Sequence, residues 1–359
     1  MSKTERSSNF ELMRLFLILF VIILHFNNPS RDGAFCYIEN APFSNKCFLF
    51  LMESLTICAV NTFVLLSGYF MIRKSTSNIR KVIDLFLTLV MYKFFICVGS
   101  EIYHSDFSIH KLLAALIPSN YYAWLYSTVF LLSPFLNILI GKLDKQYLHQ
   151  FMIIIMILFS VIPTVIDYLG ITLNIEVGNM STISMNGNGK GFTLVNFILC
   201  YYVGGYLARI SDCNNNILAQ GKALIVYILS SLIIFFGLFI NRHHALDYCN
   251  IFVIIQSAAF FLIFKNLKIK KIEFINYLAK SVWGIFVLHG YFLGIYSKID
   301  NVEDVTTGGF GQLVLHFLLC IIASFILSLI LDKIFSICLK PMHYVMDKIA
   351  LFNKTISTE

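Results

Sequence analysis

NFELMRLFLILFVIILHF, Asn9 to Phe26, is an apolar stretch broken by two ionisable side chains, Arg14 and His25, with Glu11 at its edge. A charge placed in hydrocarbon costs a few kcal/mol on insertion scales, so it is expected to face a protein interior or a wet cavity. On an α-helix, eleven residues at about 100° each bring Arg14 and His25 to within about 20° of one another, some ~16 Å apart along the axis. The pair therefore marks one polar face reaching about half-way through a ~30 Å hydrocarbon layer.

Composition extends this reading to the whole chain. Of 359 residues, 58% are hydrophobic, Phe alone occurs 35 times, only 13% are charged, and mean hydropathy is +0.77. A soluble chain carries far more charge. The expected fold class is all-α, a polytopic membrane bundle of about ten helices forming a single domain over residues 1–359, with the lipid bilayer as its solvent. Lys3 and Arg6 ahead of an apolar run resemble a signal peptide, but Arg14 interrupts the run and no small-residue cleavage site follows, so a retained first helix is expected. The ten apolar segments are 10–26, 47–71, 82–99, 120–140, 148–169, 191–209, 222–240, 248–265, 275–297 and 310–338.

The loops orient these segments. Nineteen Lys and Arg fall on the side of the N-terminus and six on the other, while Arg14 and Lys93 lie within spans. Positive residues stay inside, which predicts two cytoplasmic termini. The net charge of +7 then reports orientation, and no nucleic-acid partner is implied. Arg14 lies near the inner mouth of the first helix and His25 near its outer end. The nine cysteines show no metal-ligand spacing, so no metal is expected; Cys36 and Cys47 share one outer loop and are close enough in sequence to pair. No repeat of fixed period and no matched pair of broken helices is visible. That argues against a transporter, although a flippase for a lipid-linked oligosaccharide stays open on helix count and the polar face.

Several constellations carry chemistry. A neutral imidazole at His25 can take a hydroxyl proton, and Arg14 is a fixed cation suited to a phosphate or a thioester carbonyl. The plain alternative is an interfacial His and an Arg that snorkels. Arg73, Lys74, Arg80 and Lys81 follow the Ser67-Gly68 pair and form a basic cluster beside the Arg14 end, suited to a polyanionic nucleotide; ordinary positive-inside topology also explains it. Tyr122 and Trp124 open the fourth segment, either as an interfacial belt or as a platform for a sugar. His289 in SVWGIFVLHG is a second intramembrane His at about the depth of His25, and Glu53 is a carboxylate within reach of either. Asp84, Lys93 and Asp167 have no legible partner, and His243-His244 reads as solvated.

At these residues the chain resembles the integral-membrane acyltransferase 3 family of bacterial surface-glycan O-acetyltransferases. Four ordered passages carry the likeness across nearly the whole chain: Arg14-x10-His25; FVLLSGYF from Phe63 to Phe70; the Trp124 segment with SPFLN, followed by NFILCYYVGGYLAR from Asn196 to Arg209; and SVWGIFVLHG. The family often carries an Arg pair spaced three apart after Ser-Gly-Phe, where this chain has Arg73, Lys74, Arg80 and Lys81. The resemblance implies a multi-pass protein of the bacterial cytoplasmic membrane. It implies acetyl-CoA as donor and the hydroxyl of a surface glycan or lipid-linked sugar as acceptor, with His25 and Arg14 at the catalytic positions. The four basic residues would hold the donor, with Tyr122, Trp124, His289 and Glu53 toward the acceptor. On this reading Arg14 and His25 share one hydrated tunnel.

Overall fold

A computed structural model describes residues 7–104, 107–173, 191–210, 217–349 and 354–358. The Asn- and Gly-rich loop segment from Asn179 to Lys190 lies outside the described residues. Helices dominate, in the order α1 (Ser8–Asn27), α2 (Phe43–Thr56), α3 (Ala59–Met71), α4 (Ile79–His104), α5 (Ile109–Ala115), α6 (Tyr121–Lys142), α7 (Lys145–Met156), α8 (Ile162–Leu173), α9 (Leu194–Ile210), α10 (Ile217–Ile240), α11 (Arg242–Ala245), α12 (Ile251–Lys265), α13 (Glu273–Leu278), α14 (Val282–Ile299), α15 (Val302–Thr307) and α16 (Phe310–Lys348). Two short strands, β1 (Thr76–Asn78) and β2 (Thr355–Ser357), pair antiparallel. Among the described residues eight stretches are long and apolar enough to cross a bilayer, and α9 and α12 are shorter apolar helices. These ten coincide with the ten segments read from the sequence, and the chain is an all-α polytopic membrane bundle.

The middle of the bundle is α1 with the α2–α3 pair. Some 78% of the best apolar window of Phe43–Met71 is buried, against 11% for α4, so α4 runs along the outside. The 47–71 span is two helices, interrupted at Ile57 and Cys58. A break frees carbonyls, which in hydrocarbon need protein donors. Tyr227 donates to Leu55 O at 2.6 Å and Gln256 to Ser54 O at 2.7 Å. Asn61 donates to Tyr248 O at 2.7 Å and accepts from Asn196 at 3.1 Å, tying α3 to α9 and to the turn before α12.

Helices α3 and α9 pack backbone against backbone. A methyl group at Gly68 would meet the Tyr201 backbone, and one at Gly204 would meet the backbone of Leu65 and Tyr69. Small residues at such a crossing let the two backbones touch. This approach seats Ser67, and with it the wall of the inner cavity, against the bundle centre.

Three features depart from the sequence reading. Lys93, without a legible partner in the sequence, lies along α4 and donates to Ile117 O at 2.8 Å and Ser119 Oγ at 2.9 Å. It thereby holds the chain reversal before α6 against the middle of α4. Cys36 and Cys47 are free thiols: Cys36 Sγ turns to Pro29 O at 3.4 Å, while Cys47 is fixed within α2.

On the outer loops His244 is not simply solvated. Its Nδ1 lies 3.5 Å from carboxylate oxygens of both Asp167 and Asp247, and the ligand-type atoms of the three residues lie within 4.8 Å of one another. A protonated imidazole between two carboxylates accounts for the group, and the two carboxylates push the His244 pKa up from 6.5 to about 9.

Two outcomes follow from this packing. Gly204→Ala forces α3 and α9 apart and costs about 1–3 kcal/mol, the usual range for overpacking a tight contact, read as a lower melting temperature in detergent. Because the folded His244 pKa lies above the unfolded one, its contribution to stability is complete below pH 6.5 and is lost as the pH rises through about 9. Thermal melts across that window should fall in the wild type and flatten in His244→Gln.

Candidate active site

The site grows from the face of α1 named by Arg14 and His25. Both residues turn toward the same neighbour, the segment that ends in α14. His25 Nδ1 lies 2.6 Å from His289 Nε2, and Arg14 lines a cavity with Lys280, Trp283 and Phe286. His289 Nδ1 lies 3.1 Å from Ile285 O, one turn back along α14. A carbonyl only accepts, so Nδ1 of His289 carries its proton. In the neutral pair His289 Nε2 is then the acceptor, and His25 Nδ1 donates to it. This leaves His25 Nε2 as a bare lone pair, the form a general base requires.

Arg14 is paired with Glu11 at 2.7 Å, one turn below on α1, which steadies the guanidinium without removing it from the cavity wall. The inner space has two parts. A vestibule of about 550 Å³ is lined by Arg14, Lys74, Lys81 and Thr355 among others. A deeper cavity of about 280 Å³ holds Tyr122, Lys280, Trp283 and Phe286. Arg14 and Ser67 belong to both walls, so the two parts adjoin. Because Thr355 and Arg14 share the vestibule, both ends of the described chain lie at one end of the bundle.

His25 opens instead onto an outer cavity of about 290 Å³, with Arg31, Tyr296 and Lys298 in its wall. The single shared tunnel expected from the sequence is therefore two compartments. Between them stand Phe286 and the imidazole pair: Phe286 lines the deeper inner cavity, and its ring centre is 5.9 Å from that of His289. The helical phase aligned Arg14 and His25 correctly, but it carries no information about a side chain from another helix that closes the space between them.

The remaining expected residues divide. Lys74 and Lys81 are exposed in the vestibule. Arg73 lies in an adjoining cavity of about 390 Å³ and donates to Ala208 O at 3.0 Å. Arg80 is buried and turned away, bound to Asp84 at 2.9 Å, Asp347 at 3.0 Å and His343 O at 3.0 Å; it anchors the end of α16. Glu53 is bonded to neither imidazole. It accepts from Asn27 at 2.8 Å and so holds the last residue of α1 below the outer loop. Tyr122 is not part of an outer platform; it lines the inner cavity beside Arg14 and packs on Phe286 at 5.2 Å. Trp124 is exposed, packs on Phe86 at 4.7 Å and donates to Pro118 O at 2.8 Å. The Lys93-bound reversal explains both shifts, because it starts α6 beside the middle of α4 and not at its outer end. Lys280, Tyr126, Trp283, Phe286 and Arg31 were not singled out in the sequence. The aromatic residues among them look like any core residue, and the cations like any loop charge.

Comparison with known families matches the acyltransferase-domain family over residues 7–333. No curated protein and no solved structure matches the chain. The matched region contains Arg14, His25, the basic cluster and His289, and with them every described residue lining the deeper inner cavity and the outer cavity. With more than nine-tenths of its length inside that family and a bundle of membrane helices around the imidazole pair, the chain belongs to the acyltransferase 3 family of membrane acyltransferases.

Proposed function

We propose that the protein moves an acetyl group from cytoplasmic acetyl-CoA to a hydroxyl of a bacterial surface polysaccharide or its lipid-linked precursor, in the bacterial cytoplasmic membrane. The observation that carries the reading is the position of the imidazole pair between a basic inner space and a separate outer cavity. Coenzyme A is too charged to enter hydrocarbon. Its nucleotide belongs in the vestibule, where Lys74 and Lys81 offer cations not committed to a carboxylate. The slim pantetheine arm then rises past Arg14 and Ser67 toward Phe286. Arg80, held by two carboxylates, serves the framework and not the donor.

The chemistry uses the tautomer set by Ile285. The acceptor hydroxyl approaches from the outer cavity and gives its proton to His25 Nε2. Its oxygen forms the ester bond to the carbonyl carbon as the carbon–sulfur bond breaks, and the proton passes to the departing thiolate. His289 is a positioning residue: it holds the His25 ring and supports the positive charge that ring acquires. Phe286 must turn aside for the thioester to reach His25, and so keeps water from the donor when no acceptor is present. A flippase reading gains no support from this arrangement, since a tight imidazole contact across the path serves proton transfer and obstructs a sugar.

His25→Ala should leave the protein inserted in the membrane and lower acetylation about 100-fold or more, the contribution expected of a general base. Polymer acetate at the wild-type level in that variant, read by proton NMR, overturns the reading. For His289→Leu, kcat should fall while KM for acetyl-CoA holds. His289→Gln should recover part of the rate, because an amide oxygen can accept from His25. Phe286→Ala should raise acceptor-free hydrolysis of acetyl-CoA several-fold, followed by release of free thiol.

A further inference from the structure

The outer cavity has a feature that the proton-transfer chemistry does not use. Arg31 ends a short 3-10 turn, Pro29–Arg31, only six residues beyond His25. The turn is tightly built. Asn28 O accepts from the amides of Arg31 at 3.1 Å and Gly33 at 3.0 Å, Asn28 Oδ1 accepts from Ser30 N at 2.9 Å, and Asp32 takes a left-handed conformation with φ 53°. Gly33 lies on the backbone of Phe26 to Asn28 where no side chain would fit. This frame sends the Arg31 guanidinium onto Gly290, the residue after His289, where a methyl group would collide with Nη1. The cation is thus set into the same cavity wall as His25.

Three other described outer-side cations are held in ion pairs. Lys46 and Arg242 both lie on Glu39, at 3.0 and 3.8 Å, and Lys111 lies on Glu101 at 3.0 Å. Among the described residues Arg31 has no ion pair, and neither has Lys298 across the cavity. Among the described residues Asp32 is the one carboxylate in the wall; Asp300 nearby is taken by His316 at 2.9 Å. Although Arg31 as a residue is exposed, its head group sits within the cavity, and burial draws its pKa below the ordinary arginine value. A guanidinium partly removed from water without a counter-ion is at a disadvantage that a planar anion offsets by two-pronged hydrogen bonding.

Given acyl transfer as the activity, we propose that the outer cavity takes an acceptor bearing an anionic group, a carboxylate or a phosphate, which Arg31 binds with help from Lys298 while a hydroxyl of the same molecule meets His25. The anion is either an acidic sugar's carboxylate or the diphosphate of a lipid-linked sugar. A cation at this point selects the acceptor and fixes which hydroxyl reaches the base.

The test measures binding and turnover separately. Purified protein in a neutral detergent is titrated with dodecyl glucuronide, dodecyl glucoside and farnesyl-diphosphoglucose, and the same three are offered with radiolabelled acetyl-CoA. The expected result is at least about ten-fold tighter binding of one or both anionic probes than of the glucoside, within the range for a hydrogen bond to a charged group. In Arg31→Gln that preference disappears while glucoside binding and the melting temperature are unchanged. Lys298→Gln should weaken the preference in part, which guards against a fold defect in the Arg31 variant. Preference for the glucuronide alone identifies a carboxylate, and for the diphosphate alone a phosphate. Equal binding of all three probes, or a preference that survives Arg31→Gln, overturns the proposal. So does displacement of the anionic probes by phosphatidylglycerol vesicles with no difference between sugars, which would assign Arg31 to lipid head groups. Arg31-dependent binding without any acetyl transfer supports the anion site and defeats the acetyltransferase reading instead.

Discussion

A hydrogen bond of 2.6 Å joins two imidazoles inside a bundle of apolar helices, and the site is arranged around it. A polar ring in such surroundings requires a partner for each nitrogen that faces protein. His289 meets this with Ile285 O on one side and His25 on the other. The choice of acceptor at Ile285 propagates through both rings and leaves one lone pair on His25, a residue in the wall of the outer compartment. α1 and α14 must therefore stay in register, because a shift of one residue on either helix would turn an imidazole by about 100° and lose the contact.

Much of the polar content of the bundle serves to keep that register. Glu53 and Asn27 hold the outer end of α1. Ser8 bonds Asn276 at 3.0 Å and Asn9 bonds Phe264 O at 2.9 Å, holding the inner end. Charges that a reading of composition alone would send to a ligand are committed to structure: Arg80 to the end of α16, Lys93 to the reversal before α6. Arg14, steadied by Glu11, lies in the wall of the inner space and Arg31 in that of the outer cavity, one cation on either side of the imidazoles.

The inner compartment also borders the chain's end. β2 pairs with β1 in the register Thr76 to Ser357, placing Thr355 in the vestibule wall and Thr358 in that of the adjoining cavity with Arg73 and Arg209. Arg209 in turn donates to Ile140 O and Leu143 O, so the basic residues differ in how freely they meet a ligand even where their positions in sequence look equivalent.

The membrane character, the number of apolar segments and the shared face of Arg14 and His25 were legible in the sequence, because they depend on local composition and on the fixed geometry of a single helix. The same logic located His289 as a second intramembrane imidazole. Its contact with His25, the separation of the polar face into two compartments by Phe286, the diversion of Glu53 to Asn27, and the recessed start of α6 that carries Tyr122 inward were decided only in the tertiary structure. Each depends on a partner more than twenty residues distant, and no periodicity within one helix records which neighbour will stand against it.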